Sequence, residues 1–366
     1  RLSCYNLAVL PSLGSHTSEV ESCMFAIARR MLFSLPPETA HDVALAALDW
    51  ASMLGATRIL RPRISDPTTL MGIAFANRVG LSAGLDKNAD HIRGLADLGF
   101  GFLEVGTVTP LAQAGNAKPR LFRLSAQQAL INRIGFNNKG LEHLCRQVAR
   151  HRKKAGIPIG INIGKNRDTP IERATDDYVK ALKGVYPLAD FIVVNLSSPN
   201  TPGLRSLQGG AELKALLDVL KTQQALLAAD CGRYVPLVVK IAPDLGNEAI
   251  DELVNVLLEC RIDGVSATNT TIERSSVSAA PQGKETGGLS GAPLRARSTE
   301  VVARIRAHAG PDFPIIAMGG IMSGDDAVEK IQAGADLIQL YTGLIYRGPK
   351  LVREAAAAIA SMTNSS

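Results

Sequence analysis

The chain has 366 residues, of which 46% are hydrophobic, 20% charged and only 4% aromatic, and its net charge is +6. This ordinary globular composition fits one large domain with an appendage, since a (β/α)8 barrel takes roughly 250 residues. A basic balance is compatible with nucleic acid, an anionic membrane face or anionic small ligands. The scarcity of aromatic side chains argues against a stacking surface for single-stranded nucleic acid, and we predict no nucleic-acid partner.

The cysteines and histidines do not suggest a metal centre. The 5 cysteines are far apart without a CxxC pair, and the 6 histidines show no HExxH spacing. We therefore predict no disulfide framework and no metal site, and the odd number of cysteines favours a reducing compartment. No uninterrupted apolar stretch is long enough to predict a membrane-spanning helix.

The first residues of the chain carry little structural signal. The chain begins at Arg1, which indicates a truncated or processed start, and residues 1–22 are rich in serine without clear periodicity. We predict that residues 1–22 form a flexible leader.

Residues 23–60 differ from everything that follows. Residues 23–33 have the pattern of a short helix, and Pro36-Pro37 then opens a second helix that is expected to end near Leu54, before Gly55. Both helices are amphipathic and too short to span a bilayer. They fit either a cap docked on the next domain or a surface that faces lipid, and their pattern leaves both interpretations open.

From residue 79 onward, short β-rich runs alternate with amphipathic helical stretches. The predicted strands are Val79–Gly84, Gly101–Thr107, Pro158–Gly164, Phe191–Ser197, Leu237–Ala242, Gly264–Thr270, Pro314–Gly320 and Leu337–Gly343. Continuous apolar runs such as Ile192-Val193-Val194 are typical of buried parallel strands. The alternation predicts an α/β fold, a closed (β/α)8 TIM barrel over residues 61–366. The alternative, an open doubly wound sheet, needs a Gly-rich first turn and a switch point, and neither is evident.

The predicted strands end in amides, hydroxyls and two lysines, with few carboxylates. These residues are Lys87, Asn88, Thr107, Asn132, Asn162, Asn195, Ser198, Asn200, Lys240, Thr268, Asn269 and Thr270. A single asparagine at a strand end is usually a turn or cap residue. A ring of asparagines, however, suits a planar ligand with carbonyl and N–H groups, and the two lysines suit an anionic ligand or an electron-rich cofactor.

Glycine-rich segments follow the last two strands, at Met318–Ile321 and Tyr341–Gly343. Loops in these positions commonly bind phosphate in barrels, so we predict a phosphorylated ligand or cofactor. Gly287–Gly291 follows the sixth strand and is expected to fold over the same ligand. The long connection over residues 108–157 is also expected to be functional.

Ser198 is a candidate for proton transfer rather than for acyl transfer. A nucleophilic serine needs a histidine base, and no histidine occurs between His151 and His308. Ser198 would instead move a proton with help from Thr201 or water. The alternative is a serine whose hydroxyl is satisfied by the turn before Pro199.

Seven segments, in order, resemble those of dihydroorotate dehydrogenases. They are Ala83–Asn88, Asn132–Asn138, Asn195–Thr201, Ala267–Thr271, Gly287–Gly291, Gly319–Ile321 and Tyr341–Gly343. The resemblance extends from about residue 24 to the C-terminus. Ser198 occupies the base position, where the soluble class carries cysteine, and residues 23–60 resemble the extension that forms a quinone tunnel. The resemblance therefore implies the quinone-dependent, membrane-associated class and favours the lipid-facing interpretation of the two helices.

This resemblance implies one FMN per chain, dihydroorotate as substrate, orotate as product and quinone as final electron acceptor, in de novo pyrimidine synthesis. It also implies a peripheral protein at an anionic membrane surface, on the cytoplasmic side of a bacterial inner membrane or, alternatively, at the mitochondrial inner membrane. No obligatory protein partner is predicted.

By the same resemblance, Ser198 takes a proton from C5 of dihydroorotate while a hydride leaves C6 for the flavin. The implied substrate-binding residues are Lys87, Asn132, Arg133, Ile134, Gly135, Phe136, Asn195, Asn200, Asn269 and Thr270. The implied FMN-binding residues are Ala83, Gly84, Leu85, Asp86, Lys87, Thr107, Asn162, Asn195, Lys240, Thr268, Gly291, Gly320, Tyr341 and Thr342. Lys240 would stabilise the negative charge of reduced flavin.

Two other classes of function are compatible with parts of the pattern. A soluble barrel enzyme that acts on a phosphorylated metabolite would use the glycine-rich loops for its substrate and would lack flavin. A flavin- or lipid-binding module without catalytic activity would keep the cofactor but would not depend on Ser198.

Overall fold

The computed structural model describes residues 25–59 and 64–363. The predicted leader, residues 1–22, lies outside the described residues. The predicted boundary between residues 23–60 and 61–366 falls in the undescribed segment 60–63.

Eight parallel strands form a closed barrel, as the sequence predicts. They are Val79–Leu81 (β1), Phe102–Val108 (β2), Ile159–Ile163 (β3), Phe191–Asn195 (β4), Leu237–Ile241 (β5), Gly264–Ala267 (β6), Ile315–Met318 (β7) and Leu337–Leu340 (β8). The ring closes where β8 pairs with β1, with Leu340 opposite Leu81. Most of these strands end one to three residues before the predicted position, because their polar C-terminal residues leave the ladder.

Helices cover the outside of the barrel. After the successive strands they are Ile92–Ala96, Leu141–Ala155, Ala174–Val185, Gly210–Cys231, Asn247–Glu259, Arg295–Ala309, Gly324–Gln332 and Lys350–Thr363, with a short helix, Thr342–Arg347, directly after β8. Each long helix buries an apolar face; Leu213, Leu217 and Leu220, for example, are fully buried at helical spacing. This burial stabilises the helices far more than their intrinsic propensity does.

Aromatic side chains close the N-terminal end of the barrel. Phe102 and Phe191 point into the interior, and their ring centroids lie 5.9 Å apart in an edge-to-face arrangement. Phe75 packs on Phe102 with a centroid distance of 5.3 Å. It is supplied by a hairpin of Thr68–Leu70 and Ile73–Phe75 that precedes β1. Because this end is filled, a ligand can enter only from the C-terminal ends of the strands.

A small antiparallel sheet lies beside that open end. The long connection after β2 forms a hairpin of Leu121–Leu124 and Ala129–Asn132, and Gly288–Gly291 pairs with its second strand. Both segments therefore lie together beside the open end of the barrel. Their pairing as strands is a finding of the structure, since four-residue strands have too few residues for a recognisable period.

The N-terminal region contains two helices, over residues 25–33 and Pro37–Met53. The second helix docks on the barrel, since Leu45 joins the main core and the Ser52 hydroxyl donates to Asp97 at 2.7 Å. Among the described residues, a large share of the exposed apolar side chains lies in this region: Ile27, Met31, Leu35, Val43, Trp50, Met53 and Leu54. The helices are thus both a docked cap and an exposed apolar surface. No helix in the described ranges has the length and apolarity needed to cross a bilayer.

Candidate active site

A cavity of about 1040 Å³, including its open mouth, lies between the strand ends and the small antiparallel sheet. Most of the predicted site residues line it: Ala83, Gly84, Lys87, Thr107, Asn132, Ile134, Gly135, Phe136, Asn195, Ser198, Asn200, Lys240, Thr268, Asn269, Thr270, Gly291, Gly320, Tyr341 and Thr342. The barrel therefore brings together side chains that are up to 259 positions apart, Ala83 and Thr342 being the ends of the range. We call this cavity the cup.

Three of the predicted residues support the cup from behind its lining. Leu85 belongs to the hydrophobic core. The Asp86 carboxylate accepts the backbone N–H groups of Asp90 at 3.0 Å and His91 at 2.8 Å, and its burial raises its pKa. Asn162 is fully buried beneath the lining. Leu85 and Asp86 thus fix the turn that presents Lys87.

The side chain of Arg133 lies apart from the other residues predicted to bind substrate. Its guanidinium forms an ion pair with Glu285 at 2.5 Å and lies over the ring of Phe122, 4.6 Å from the centroid. It is not among the side chains that line the cup. Arg133 is the first residue after the strand Ala129–Asn132, and its contacts with Glu285 and Phe122 occupy its guanidinium outside the cup. Arg133 therefore ties the loop before Gly288 to the hairpin.

A chain of hydrogen bonds fixes the amides at the ends of β2, β3 and β4. Thr107 donates to Asn162 Oδ1 at 2.5 Å, and Asn195 Nδ2 donates to Thr107 Oγ1 at 3.0 Å. Ser197 donates to Asn195 Oδ1 at 3.0 Å and accepts from Asn269 Nδ2 at 2.9 Å. These partners orient each amide before a ligand arrives, which reduces the entropy lost on binding.

Ser198 lies in this cup almost completely buried, at 5% exposure. Its Oγ accepts the backbone N–H of Asn200 at 3.2 Å, and Asn200 Nδ2 in turn donates to Asn132 Oδ1 at 3.3 Å. Among the residues that the structure describes, no histidine, aspartate or glutamate lines the cup. The geometry therefore offers Ser198 no imidazole partner, which agrees with the argument against acyl transfer.

Arg205 holds the Ser198 loop against the loop after β6. Its guanidinium donates to Ser197 O at 3.0 Å, to Thr270 O at 2.9 Å and to Asp244 at 2.7 Å. Two loops that carry predicted site residues are thus joined by one cation. Sequence patterns did not single out Arg205, because an arginine after a turn is usually exposed.

The two predicted lysines are the cations of the cup. Burial, together with the nearby Arg120 cation, lowers the pKa of Lys87 to about 8. Lys240 is 4% exposed, donates to Ser82 Oγ at 3.3 Å and lies 3.6 Å from Glu104 Oε1. With cations and no lining carboxylate, the cup has the electrostatics of an anion-binding site.

Ser82, Glu104 and Gln339 belong to the site, although sequence analysis missed them. The two Glu104 oxygens accept from Asn162 Nδ2 and Gln339 Nε2, each at 2.6 Å. A usable signal was present, since Glu104 and Gln339 are polar residues inside otherwise apolar strand segments. Polar residues within an apolar strand can face the barrel interior when other side chains satisfy their hydrogen bonds.

The far end of the cup is built on glycine backbone. Gly291 and Gly320 have φ angles of +98° and +73°, which favour glycine. A Cβ at Gly291 would lie 2.2 Å from Gln128 O, and one at Gly320 would lie 2.4 Å from the Arg295 backbone. Thr342, at the start of the short helix after β8, shares a 2.8 Å hydrogen bond with Ser290. Backbone this close to the cup suits a phosphate group.

Together these features are those of a barrel enzyme whose cup is suited to a phosphorylated, anionic ligand. A model of the dihydroorotate dehydrogenase family matches residues 67–362. Dihydroorotate dehydrogenase (quinone) of Marinobacter nauticus is 56% identical over 337 residues, 92% of this chain and 98% of the relative. The protein of the same description from Stenotrophomonas maltophilia strain R551-3 is 55% identical, with 92% and 96% covered. The chain belongs to the dihydroorotate dehydrogenase family, so the resemblance seen in the sequence is confirmed.

A solved structure gives the same result for the fold. DHODH from Eimeria tenella, in complex with ferulenol, aligns with a TM-score of 0.81 and 37% sequence identity. The alignment covers 91% of this chain and 95% of that one. The barrel and its N-terminal helical extension are therefore those of the family.

The cup fits the flavin on which this family depends. Two buried polar atoms have no partner among the described residues, Thr268 Oγ1 and Gln339 Oε1, and both side chains line the cup. Buried polar groups are normally hydrogen-bonded, so these atoms are suited to ligand contacts. The described residues contain no cluster of three or more side chains suited to hold a metal ion.

We predict that Thr268→Val leaves the stability of the cofactor-free protein unchanged or slightly raises it, because it replaces an unpartnered hydroxyl with a methyl group of similar shape. The increase in melting temperature on addition of flavin should become smaller. Thr109→Val is the matched control, since the Thr109 hydroxyl donates to Leu111 O and accepts from Asn138. Thr109→Val should destabilise the protein by about 1–3 kcal/mol. An undiminished thermal shift in Thr268→Val would show that this hydroxyl has no ligand.

Proposed function

We propose that this chain oxidises dihydroorotate to orotate with FMN as hydride acceptor and quinone as final electron acceptor, in pyrimidine synthesis. The observation that carries the proposal is Ser198, buried among oriented amides in a cup with two cations and no lining carboxylate or histidine. The names of the sequence relatives support the same reaction.

The polar groups of the cup match those of dihydroorotate. The substrate ring has carbonyl and N–H groups, and asparagine side chains can both donate to the first and accept from the second. Asn132, Asn195, Asn200 and Asn269 line the cup together. Lys87 would hold the carboxylate through a charge-assisted hydrogen bond. The loop residues Ile134 to Phe136 would cover the bound ring.

Ser198 would remove the proton from C5 of dihydroorotate. The Ser198 Oγ would accept this proton while its own proton leaves to water, either directly or through the buried Thr201 hydroxyl, which would release its own proton to water in turn. The backbone N–H of Asn200, 3.2 Å from Oγ, stabilises the negative charge that develops during this transfer. FMN, when bound, supplies the acceptor for the hydride that leaves C6.

The predicted cofactor residues divide between two ends of the cup. Gly291, Gly320 and Thr342 would hold the phosphate with their backbone and hydroxyl groups. Lys240 and Thr268 would hold the ring, and the Lys240 ammonium would stabilise the negative charge of its reduced form.

A second pocket, of about 820 Å³ including open solvent, provides the route proposed for quinone. It lies between the helix Pro37–Met53 and the barrel. Lys87, Ile134 and Tyr341 line both this pocket and the cup, so the two are adjacent. On the helix side, burial lowers the pKa of His41 to about 4, with a further contribution from Lys87, which keeps this histidine neutral at pH 7.

The exposed apolar side chains of the two N-terminal helices are proposed to bind the membrane. Met31 and Trp50 are 69% and 66% exposed, and such surface is suited to the lipid interface. Arg30, exposed on the same helix as Met31, would meet anionic head groups. The sequence relatives reported above are bacterial, which supports the cytoplasmic face of the inner membrane rather than the mitochondrial alternative.

For Ser198→Ala we expect flavin reduction by dihydroorotate to slow by 10²–10⁴-fold, the usual contribution of a general base. Binding of orotate and FMN should be retained, because the amides stay in place. Stopped-flow absorbance under anaerobic conditions measures this rate. Ser206→Ala is the matched control, since the Ser206 hydroxyl donates only to Gly203 O in a nearby turn, and should reduce at the wild-type rate. Normal flavin reduction in Ser198→Ala would remove the serine from the mechanism.

Orotate affinity should decrease as the pH rises above about 8. Lys87 has a pKa lowered to about 8, so its ammonium is present below that pH and is lost above it. Lys87→Met should weaken orotate by roughly 10–150-fold at pH 7 and should show no such pH dependence. Calorimetric titration of the flavin-loaded protein from pH 6 to 9 tests this. An equal pH slope in both proteins would assign the titration to another group.

The double variant Met31→Glu/Trp50→Glu should lose binding to anionic vesicles and turnover with a long-chain quinone. Reoxidation by a small soluble dye should remain, because the cup is unchanged. Leu226→Glu/Leu258→Glu is the control, with side chains 57% and 41% exposed on barrel helices, and should keep all three properties. If the N-terminal variant keeps quinone turnover and vesicle binding, these helices are only a structural cap.

A further inference from the structure

We infer that Glu104, a carboxylate buried inside the barrel, lowers the reduction potential of the bound flavin through its ion pair with Lys240. The inference rests on the proposed function for the presence of the flavin. Glu104 lies in the middle of β2 and has no exposed surface. A glutamate is almost never fully buried unless it is paired with other charged or polar groups.

Three side chains surround this carboxylate. Asn162 Nδ2 donates to Oε1 and Gln339 Nε2 donates to Oε2, each at 2.6 Å, and Lys240 Nζ lies 3.6 Å from Oε1. Every partner is a donor. An ionised carboxylate can only accept hydrogen bonds, so an environment made entirely of donors is the one it needs, and we assign a negative charge to Glu104.

Glu104 lies directly behind the lining of the cup. Lys240 and Gln339 line the cup, but Glu104 does not. It therefore touches neither substrate nor cofactor and acts as a positioning residue through Lys240. The other lining cation, Lys87, has no such ion pair among the described residues, and no carboxylate lines the cup. Among the described residues, Glu104 is thus the negative charge that bears most directly on Lys240.

The sign of the effect follows from the charge of each redox state. Reduced flavin carries more negative charge than oxidised flavin, so the Lys240 ammonium stabilises the reduced form. Glu104 offsets part of that positive charge in a water-poor interior, where electrostatic interactions are strong. Glu104 therefore makes the reduced flavin less stable relative to the oxidised flavin. The reduced flavin is then a stronger electron donor to quinone. The carboxylate also holds the lysine side chain in place, together with Ser82.

Glu104→Gln removes the charge and keeps the shape. The new amide can still accept from Asn162. Its NH2 group can donate to Gln339 Oε1, which has no partner now, once the Gln339 amide turns over. Glu104→Asp is the control because it keeps the charge, and Glu104→Met is a second neutral variant of similar volume.

The experiment is an anaerobic redox titration of each FMN-loaded protein, followed by flavin absorbance at pH 7. A neighbouring charge changes the equilibrium of a buried ionising group by about ten-fold or more. We therefore expect Glu104→Gln and Glu104→Met to shift the equilibrium toward reduced flavin about ten-fold, or ~30 mV upward for a two-electron couple. Glu104→Asp should shift it much less.

An unchanged or lowered potential in the neutral variants would overturn the inference. So would loss of FMN from both neutral variants but not from Glu104→Asp, because the carboxylate would then hold the cofactor site together rather than set its potential. If the wild-type protein itself binds no FMN, the proposed function fails. If the wild-type protein binds FMN but the variants have an unaltered potential, only the inference about Glu104 fails.

Discussion

Closure of the eight-stranded barrel is the constraint on which the rest of the structure depends. A parallel barrel directs the C-terminal ends of all its strands to one side, and the packed rings of Phe75, Phe102 and Phe191 fill the other. Side chains from distant parts of the sequence are therefore forced into one cup. The amides of Asn132 and Asn269, for example, both line it, although 137 positions separate them in the chain. The small antiparallel sheet then covers part of the opening.

Electrostatics determine what this cup can bind. Lysines supply positive charge, and the carboxyl groups of Asp86 and Glu104 lie behind the lining rather than in it. Burying an unpaired carboxylate is costly, and both carboxylates are satisfied by backbone N–H groups or amide donors. The same space is thus suited both to an anionic substrate and to a cofactor that gains negative charge. Ser198 can exchange a proton there without an imidazole, which is consistent with redox chemistry at carbon rather than with acyl transfer.

Much of the fold and the cup could be predicted from the sequence, since parallel strands give continuous apolar runs and the polar residues after them mark the open end. Most strands end earlier in the structure than the sequence predicts. Residues such as Ala83 and Asn269 continue the sequence pattern of a strand after the hydrogen-bonded ladder has ended. The ion pair of Arg133 with Glu285 could not be predicted, because it depends on the pairing of a distant loop. Glu104 was missed because a single polar residue in a strand does not show its partner.

The N-terminal helices combine two properties that their sequence presented as alternatives. Leu45 and Ser52 dock one face on the barrel, while Met31, Trp50 and Leu54 stay exposed. The chemistry of the cup is tested most directly by anaerobic addition of dihydroorotate to the purified, FMN-loaded protein. We expect dihydroorotate to bleach the flavin absorption band and added quinone to restore it. A flavin that dihydroorotate leaves oxidised, or a purified protein that binds no flavin, would contradict the proposed function.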